Sequence, residues 1–209
     1  MHEFFLNWLL LVGVFAVALA SPGPDFVMAV RNSVMYSRRA GIMTAIGFGL
    51  GVAIHVAYCL GGLAIIIAKS VLLFTILKFI GAGYLFYVGY KALKSKGFEG
   101  DVGAEKKKLV MSDYMALRSG FITNLFNPKA TMFFLALFTQ VMNPNVALPI
   151  QLMYGLTIVS MTMLWFMIVA TVLTTPAIRN RFIRLSKWLD RACGGIFIAL
   201  GIKLVATKI

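Results

Sequence analysis

Long apolar runs constrain this chain more than any other feature. The first covers residues 4–20, and several others approach or exceed the roughly 20 residues that an α-helix needs to span a bilayer. Of the 209 residues, 60% are hydrophobic and only 13% are charged, whereas a soluble domain carries about 25% charged residues. The sequence therefore predicts an all-α, polytopic membrane protein.

A helix-breaking stretch, Ser21-Pro22-Gly23-Pro24-Asp25, follows the first apolar run directly. Each proline lacks an N–H group, and its ring clashes with the preceding turn, so the helix must stop. Pro24 suits the first turn of a new helix, where Asp25 would lie beside unpaired N–H groups. Irregular backbone at membrane depth persists only where protein or a water-filled cavity satisfies it. The break is therefore a candidate binding site.

A second break, Asn127-Pro128-Lys129, interrupts the fourth apolar segment. The pattern predicts about six membrane helices, of which helices 1 and 4 are broken. It also predicts an amphipathic interfacial segment over residues 178–187 and a polar linker over residues 94–113. The six predicted helices cover residues 3–36, 40–68, 71–93, 114–142, 146–175 and 188–205.

The two halves of the chain resemble each other. Each half opens with a proline-broken helix, and a three-helix unit that is repeated must insert the second time upside down, because three is odd. This is the inverted-repeat plan of secondary transporters. It predicts one domain over residues 1–209, with repeats of about 1–93 and 114–209 joined by the linker. One glycine–lysine spacing also recurs, as Gly83, Gly89 and Lys91 and again as Gly195, Gly201 and Lys203.

The formal net charge of +13 comes from basic residues that lie between the apolar segments. Positive-inside topology explains this distribution, so nucleic-acid binding is not expected. The turn after helix 1 has three Lys or Arg residues, the region 91–118 has seven, and the segment 179–191 has five. This bias predicts that the three regions lie on the cytoplasmic side and that both termini lie outside. No Lys or Arg precedes the first apolar run, which favours a retained helix over a cleaved signal peptide.

Asp25 and Lys129 occupy equivalent positions, one residue after Pro24 and Pro128. Inserting an ionisable residue at the centre of a membrane helix costs about 2.5–3.5 kcal/mol of free energy on insertion scales, so such a residue usually has a function. We expect a zwitterionic substrate to lie between them. Asp25 would attract its ammonium group, and Lys129 with the N–H groups of a helix start would attract its carboxylate. The alternatives are a helix cap or a static ion pair.

Three further polar residues lie near the breaks. His55, in helix 2, could relay protons, or could bond a backbone carbonyl. Asn124 and Asn127 flank the second break and offer amide groups, although Asn127 could serve only as a turn residue. The sequence contains no metal-ligand spacing, nucleotide-binding loop or catalytic constellation, so we expect no cofactor, no bound metal and no enzymatic activity.

Two motifs, together with the glycines of helix 2, resemble the LysE/RhtB family of bacterial amino acid exporters. The resemblance implies an inner-membrane exporter of amino acids or close derivatives that is driven by the proton gradient. It also implies functional roles for the residues of both breaks. Where the family often has Pro-Gln, this chain has Thr139-Gln140. The matching stretches are Pro22-Gly23-Pro24-Asp25, Arg39-Ala40-Gly41 with Gly47 and Gly51, and Asn127-Pro128-Lys129-Ala130.

Two other functions remain open from the sequence. One is efflux of a cation or metal ion, which the lack of a Cys, His or Met cluster beside Asp25 argues against for soft metals. The other is a membrane scaffold that transports nothing. Small residues at helical spacing, Gly41, Ala45 and Gly49, allow close helix contacts and would permit a homodimer. The expected partners are the lipid bilayer, a zwitterionic amino acid and protons.

Overall fold

A computed structural model describes residues 2–97, 110–141 and 146–206 of the protein. In these ranges the chain forms eight α-helices and no strand. The helices are α1 (His2–Ala20), α2 (Pro24–Met35), α3 (Arg38–Lys69), α4 (Val71–Leu93), α5 (Asp113–Leu125), α6 (Pro128–Val141), α7 (Leu148–Val172) and α8 (Pro176–Ala206).

Both predicted helix breaks are present. The first separates α1 from α2, whose axes are bent by 58°, and the second separates α5 from α6. Pro24 and Pro128 are each the first residue of the helix that follows, where the missing N–H group costs nothing. The predicted helix breaks at the two proline motifs are therefore confirmed.

The end of the chain differs from the prediction. Residues 178–187 do not form a separate interfacial segment, because α8 is continuous from Pro176 to Ala206. Pro176 begins this helix instead of ending α7, which already stops at Val172. Neither glycine nor proline occurs between residues 177 and 193, so no residue there interrupts the helix. The predicted turn over residues 143–145 and most of the linker lie outside the described residues.

Helix α3 lies at the centre of the bundle and packs against α5 and α7. Glycines bring α3 and α5 close together. A Cβ atom at Gly47 would lie 2.1 Å from the Leu117 carbonyl oxygen, and one at Gly120 would lie 2.1 Å from the Thr44 carbonyl oxygen. Such backbone contact is the packing that small residues allow in lipid, where hydrophobic burial does not drive helices together.

Replacing Gly47 by alanine is expected to destabilise the protein by about 1–3 kcal/mol or more, because the added methyl group overlaps the α5 backbone. The measurement is the thermal unfolding midpoint of purified protein in detergent. Gly13→Ala is the matched control, since nothing lies within 4 Å of a Cβ atom there. Equal midpoints for the two variants would contradict the close approach of α3 and α5.

Helices α4 and α8 form a second close pair and run antiparallel. A Cβ atom at Gly89 would lie 2.8 Å from Ile198 Cγ1, and one at Gly201 would lie 2.8 Å from Phe86 Cε1. Each helix therefore inserts one side chain against a glycine of its partner. The two contacts are related by a constant offset, because Gly201 and Ile198 each follow their α4 counterparts, Gly89 and Phe86, by 112 positions.

Two of the described helices are long and apolar enough to cross a membrane, namely Arg38–Gly61 within α3 and Leu148–Val172. A third span results if the bent pair formed by Phe5–Ala20 and Pro24–Met35 counts as one. These segments agree with the predicted class of polytopic α-helical membrane protein. The number of six spans stays a prediction.

Candidate functional site

The first break presents Asp25 at the start of α2. Gly23 is the N-cap of this helix and has extended backbone angles, with φ −149° and ψ −170°. Its carbonyl oxygen accepts the first helical hydrogen bond, from the Val27 N–H group at 3.0 Å. Asp25 thus lies in the first turn of a half-helix, as the sequence predicts.

The second break presents Lys129 at the start of α6. The side-chain oxygen of Asn127 accepts a hydrogen bond from the Lys129 N–H group at 3.0 Å, and its carbonyl oxygen accepts one from Thr131 N–H, also at 3.0 Å. Asn127 therefore caps α6, which satisfies an otherwise unpaired N–H group. Its side chain is buried and also faces the cavity described next.

The two breaks meet at one cavity of about 60 Å³. A water molecule needs about 10–15 Å³ of such volume, so the cavity holds a few waters. Its polar lining comes from both breaks, from α5 and from α7: Ser21, Asp25, Asn124, Asn127, Lys129 and Thr162. Its apolar lining includes six phenylalanines, namely Phe15, Phe26, Phe133, Phe134, Phe166 and Phe197.

Asp25 is held by Asn124 from α5. The Asn124 Nδ2 group donates a hydrogen bond to Asp25 Oδ2 at 2.8 Å. The other carboxylate oxygen, Oδ1, is buried without a hydrogen-bond partner. Asn124 itself fits against α3 only because residue 51 is glycine, since a Cβ atom there would lie 2.6 Å from the Asn124 Oδ1 atom. One oxygen of Asp25 is thus fixed and the other is free to accept.

Lys129 bonds to the opposite break. Its Nζ atom donates to the Ser21 hydroxyl oxygen at 2.8 Å and to the Ser21 carbonyl oxygen at 3.1 Å. Within the described residues, the ion pair shorter than 4.0 Å is that of Arg39 with Asp113, at the ends of α3 and α5. Asp25 and Lys129 therefore share a cavity without forming the static ion pair that was the alternative.

His55 lies behind the cavity wall. One ring nitrogen, Nε2, lies 3.2 Å from the Asn124 carbonyl oxygen, and the other, Nδ1, lies 2.7 Å from the Tyr58 hydroxyl. Because a carbonyl oxygen only accepts, Nε2 carries a proton. The ring stacks on Phe134 with centroids 5.3 Å apart. This is the backbone-bonded arrangement that the sequence left open beside the proton relay, and it anchors the end of α5.

Sequence reasoning missed Ser21 as a ligand of Lys129, and it missed Asp190 altogether. The Ser21 hydroxyl donates to Asp190 Oδ1 at 3.2 Å, and the Ser95 hydroxyl donates to Asp190 Oδ2 at 2.6 Å. Asp190 is 7% exposed. The sequence does contain a signal for Asp190, because it is an acidic residue inside a basic segment. The surrounding Lys and Arg residues were interpreted only as evidence of membrane topology.

No group of three or more His, Cys, Asp or Glu residues that could hold a metal ion occurs in the part of the chain that the structure describes. Cys59 and Cys193 are both buried and free. The cavity therefore presents one carboxylate, one ammonium group, two amides and two hydroxyl groups beside aromatic rings. This chemistry suits a small molecule that carries both charges.

Comparison with known proteins identifies the family of the chain. The family model of the LysE type translocator matches residues 16–208, a range that contains both helix breaks and every polar residue of the cavity. The chain belongs to the LysE type translocator family. The resemblance inferred from the two proline motifs is thereby confirmed, and this LysE type translocator is a multi-pass membrane transporter by family and by its apolar helices.

Relatives of this translocator extend over nearly its whole length. It is 33% identical over 196 residues to the threonine efflux protein of Salmonella typhi, and the match covers 93% of this chain and 95% of that protein. The threonine efflux protein of Escherichia coli K12 is 32% identical over the same shares. An uncharacterized membrane protein of Bacillus subtilis is 26% identical over 199 residues. No solved structure matches the chain.

Proposed function

We propose that this translocator exports an amino acid or a close derivative across the bacterial inner membrane in exchange for protons. One observation carries the proposal. The Asp25 carboxylate and the Lys129 ammonium group line one cavity without bonding to each other, and Asp25 keeps an unpartnered oxygen. Buried polar atoms normally have partners, so the free oxygen needs an explanation. The threonine efflux proteins among the relatives support the same class of substrate.

The binding mode follows from these contacts. The ammonium group of the substrate donates to Asp25 Oδ1, while Asn124 continues to hold Oδ2. The carboxylate of the substrate accepts from Lys129 Nζ in place of the Ser21 oxygens. Both new bonds join two ionised groups, so the bond to Lys129 is stronger than its contact with the uncharged Ser21 oxygens, and the bond to Asp25 Oδ1 replaces no protein contact. A cavity of about 60 Å³ has room for only a few waters, so we expect Ser21 and Lys129 to separate when the substrate enters.

Proton coupling follows from the same carboxylate. Asp25 Oδ1 accepts either a substrate ammonium group or a proton, but not both at once. If the substrate leaves on one side of the membrane and the proton binds on that side, the two are exchanged. His55 does not line the cavity, so its contribution in this scheme is to fix Asn124, through the Asn124 carbonyl oxygen.

We propose further that the chain forms six spans in two inverted repeats, about residues 1–93 and 114–209, joined by a cytoplasmic linker over 94–113. The antiparallel course of α4 against α8 supports this topology, because equivalent helices of inverted repeats run in opposite directions. The two contact glycines, Gly89 and Gly201, are equivalent positions of the repeats. Positive-inside bias then puts the basic loops in the cytoplasm and both termini outside.

Threonine release from dipeptide-loaded cells tests the proposal. Cells that lack their own threonine exporters are supplied with a threonine-containing dipeptide, and external threonine is measured with and without this protein. Expression is expected to raise external threonine and lower internal threonine. The same medium is screened for every other amino acid. Release of no amino acid from cells that contain the folded protein would contradict the function.

A second assay separates amino acid export from cation efflux. Proteoliposomes are loaded with threonine or with threonine amide, which keeps the ammonium group but lacks the carboxylate. Transport of threonine alone, accelerated by an imposed pH gradient, is the expected result. Equal transport of both compounds would favour cation efflux, since Lys129 would then have no carboxylate to bind.

A further inference from the structure

A second and larger cavity, of about 500 Å³, adjoins the inner one. We call it the vestibule. It shares with the inner cavity Ser21 and Gly23 from the first break and Asn127 and Lys129 from the second. These shared residues form the wall between the two spaces. The far side of the vestibule comes from α4 and α8 and includes Tyr84, Tyr87, Lys91, Ser95 and Asp190.

A chain of hydrogen bonds crosses this wall. Lys129 Nζ donates to the Ser21 hydroxyl oxygen at 2.8 Å, and the Ser21 hydroxyl donates to Asp190 Oδ1 at 3.2 Å. The Ser21 hydroxyl thus links a cation that faces the inner cavity to a carboxylate that faces the vestibule. A molecule that passes between the two spaces must separate Ser21 from Lys129. The carboxylate then loses one of its two hydroxyl donors.

Asp190 has no direct bond to a cation, because Lys129 reaches it only through the Ser21 hydroxyl. Its two oxygens accept from the hydroxyl groups of Ser21 and Ser95, and no Lys or Arg nitrogen lies within 4.0 Å of it in the described ranges. A buried charge is costly unless it is paired with an opposite charge. The vestibule in front of Asp190 is large enough to supply that charge on a ligand.

The opposite sign is also present in the vestibule. Lys91, on α4, is exposed, and its Nζ atom lies 5.9 Å from the centroid of the Tyr87 ring. Lys91 and Asp190 both line the vestibule. The vestibule therefore repeats the chemistry of the inner cavity, with one ammonium group and one carboxylate that do not bond each other.

We propose that the vestibule is a second binding subsite for an amino acid zwitterion, in which Asp190 binds the ammonium group and Lys91 binds the carboxylate. The inference rests on the proposed function. Lys91 and Ser95 lie at the end of α4 that leads into the basic linker, which the proposed orientation puts in the cytoplasm. An exported amino acid reaches this subsite first and passes the Ser21–Lys129 contact to reach Asp25.

Transport kinetics test the role of Asp190. In proteoliposomes, Asp190→Asn is expected to raise the KM for threonine about tenfold or more, because a bond to a charged group is lost, while the rate at saturating threonine stays near that of the unchanged protein. Asp190→Glu restores part of the affinity. Asp113→Asn is the matched control, since it removes an exposed carboxylate outside both cavities. An unchanged KM in Asp190→Asn would overturn the subsite.

Cysteine labelling tests the subsite without transport. Ala92 lines the vestibule, and both native cysteines are buried. An Ala92→Cys variant is treated with a water-soluble maleimide in the presence of threonine or N-acetylthreonine, which has no ammonium group. Threonine is expected to slow labelling, and N-acetylthreonine is not. This protection persists when Asp25→Asn is added and disappears when Asp190→Asn is added.

The two assays separate the proposals. Threonine that protects Ala92→Cys but is not transported would overturn the proposed function and support the subsite. Threonine that is transported but does not slow labelling would overturn the subsite alone. Protection that survives Asp190→Asn would also overturn it, because the carboxylate would then play no part in binding. The absence of both transport and protection would count against both.

Discussion

Replacing Asp25 by asparagine is expected to lower threonine export about 30-fold or more, because the loss of one member of a buried charge contact costs about 2–5 kcal/mol. Asparagine keeps the shape of the side chain and can still bond Asn124. It removes the negative charge that binds the ammonium group, and it removes the proton-binding site. The measurement is the initial rate of threonine efflux from loaded proteoliposomes at equal protein content.

The Asp25 result is interpreted against two controls. Asp113→Asn also neutralises a carboxylate, but an exposed one whose ion pair contributes little, and it is expected to export at nearly the normal rate. The unfolding midpoint in detergent should be similar for both variants. If the Asp25→Asn protein is stable and exports threonine as fast as the Asp113→Asn protein, then Asp25 does not bind the substrate.

Replacing Lys129 by glutamine is expected to reduce export by a similar factor, again about 30-fold or more. Glutamine retains an N–H donor for Ser21 but has no charge for the substrate carboxylate. The loss should depend on the ligand. Threonine binding weakens strongly, whereas binding of threonine amide, which has no carboxylate, changes little. Isothermal titration of the two ligands against purified protein in lipid nanodiscs measures this difference.

Lys187→Gln is the matched control for Lys129, because it removes an exposed cation from α8 outside both cavities. It should bind threonine as the unchanged protein does. An equal loss of affinity for threonine and threonine amide in Lys129→Gln would mean that the residue supports the fold of the site without contacting the carboxylate. That result would remove the central step of the proposed binding mode.

Features that depend on neighbouring residues were predictable from the sequence. Proline and glycine act within one helical turn, so both breaks and the helix starts at Pro24 and Pro128 followed from the local sequence. Asp25 and Lys129 stood out because a charge is rare in an apolar helix. The continuity of α8 was missed for the opposite reason. Its composition changes from basic to apolar, and a change of composition without a breaking residue does not end a helix.

The partners of the charged groups were not predictable. Asn124 bonds Asp25 across 99 positions in the sequence, Lys129 bonds Ser21 across 108, and Ser21 bonds Asp190 across 169. Such pairs depend on which helices contact each other and at which positions along their axes. Hydrophobic runs without a polar face do not specify these contacts. Residue types showed which side chains were costly to bury, and the packing decided which of them meet.

The interlock of α4 and α8 has a mechanical consequence. Ile198 packs against Gly89 while Phe86 packs against Gly201, so a slide of one residue, about 1.5 Å, would drive both side chains into backbone. This interlock opposes sliding of α4 along α8, so we expect the two helices to move as one unit. Lys91 lies on α4 and Asp190 lies on α8. A tilt of the two helices as one unit would therefore displace both charges together relative to Ser21 and Lys129.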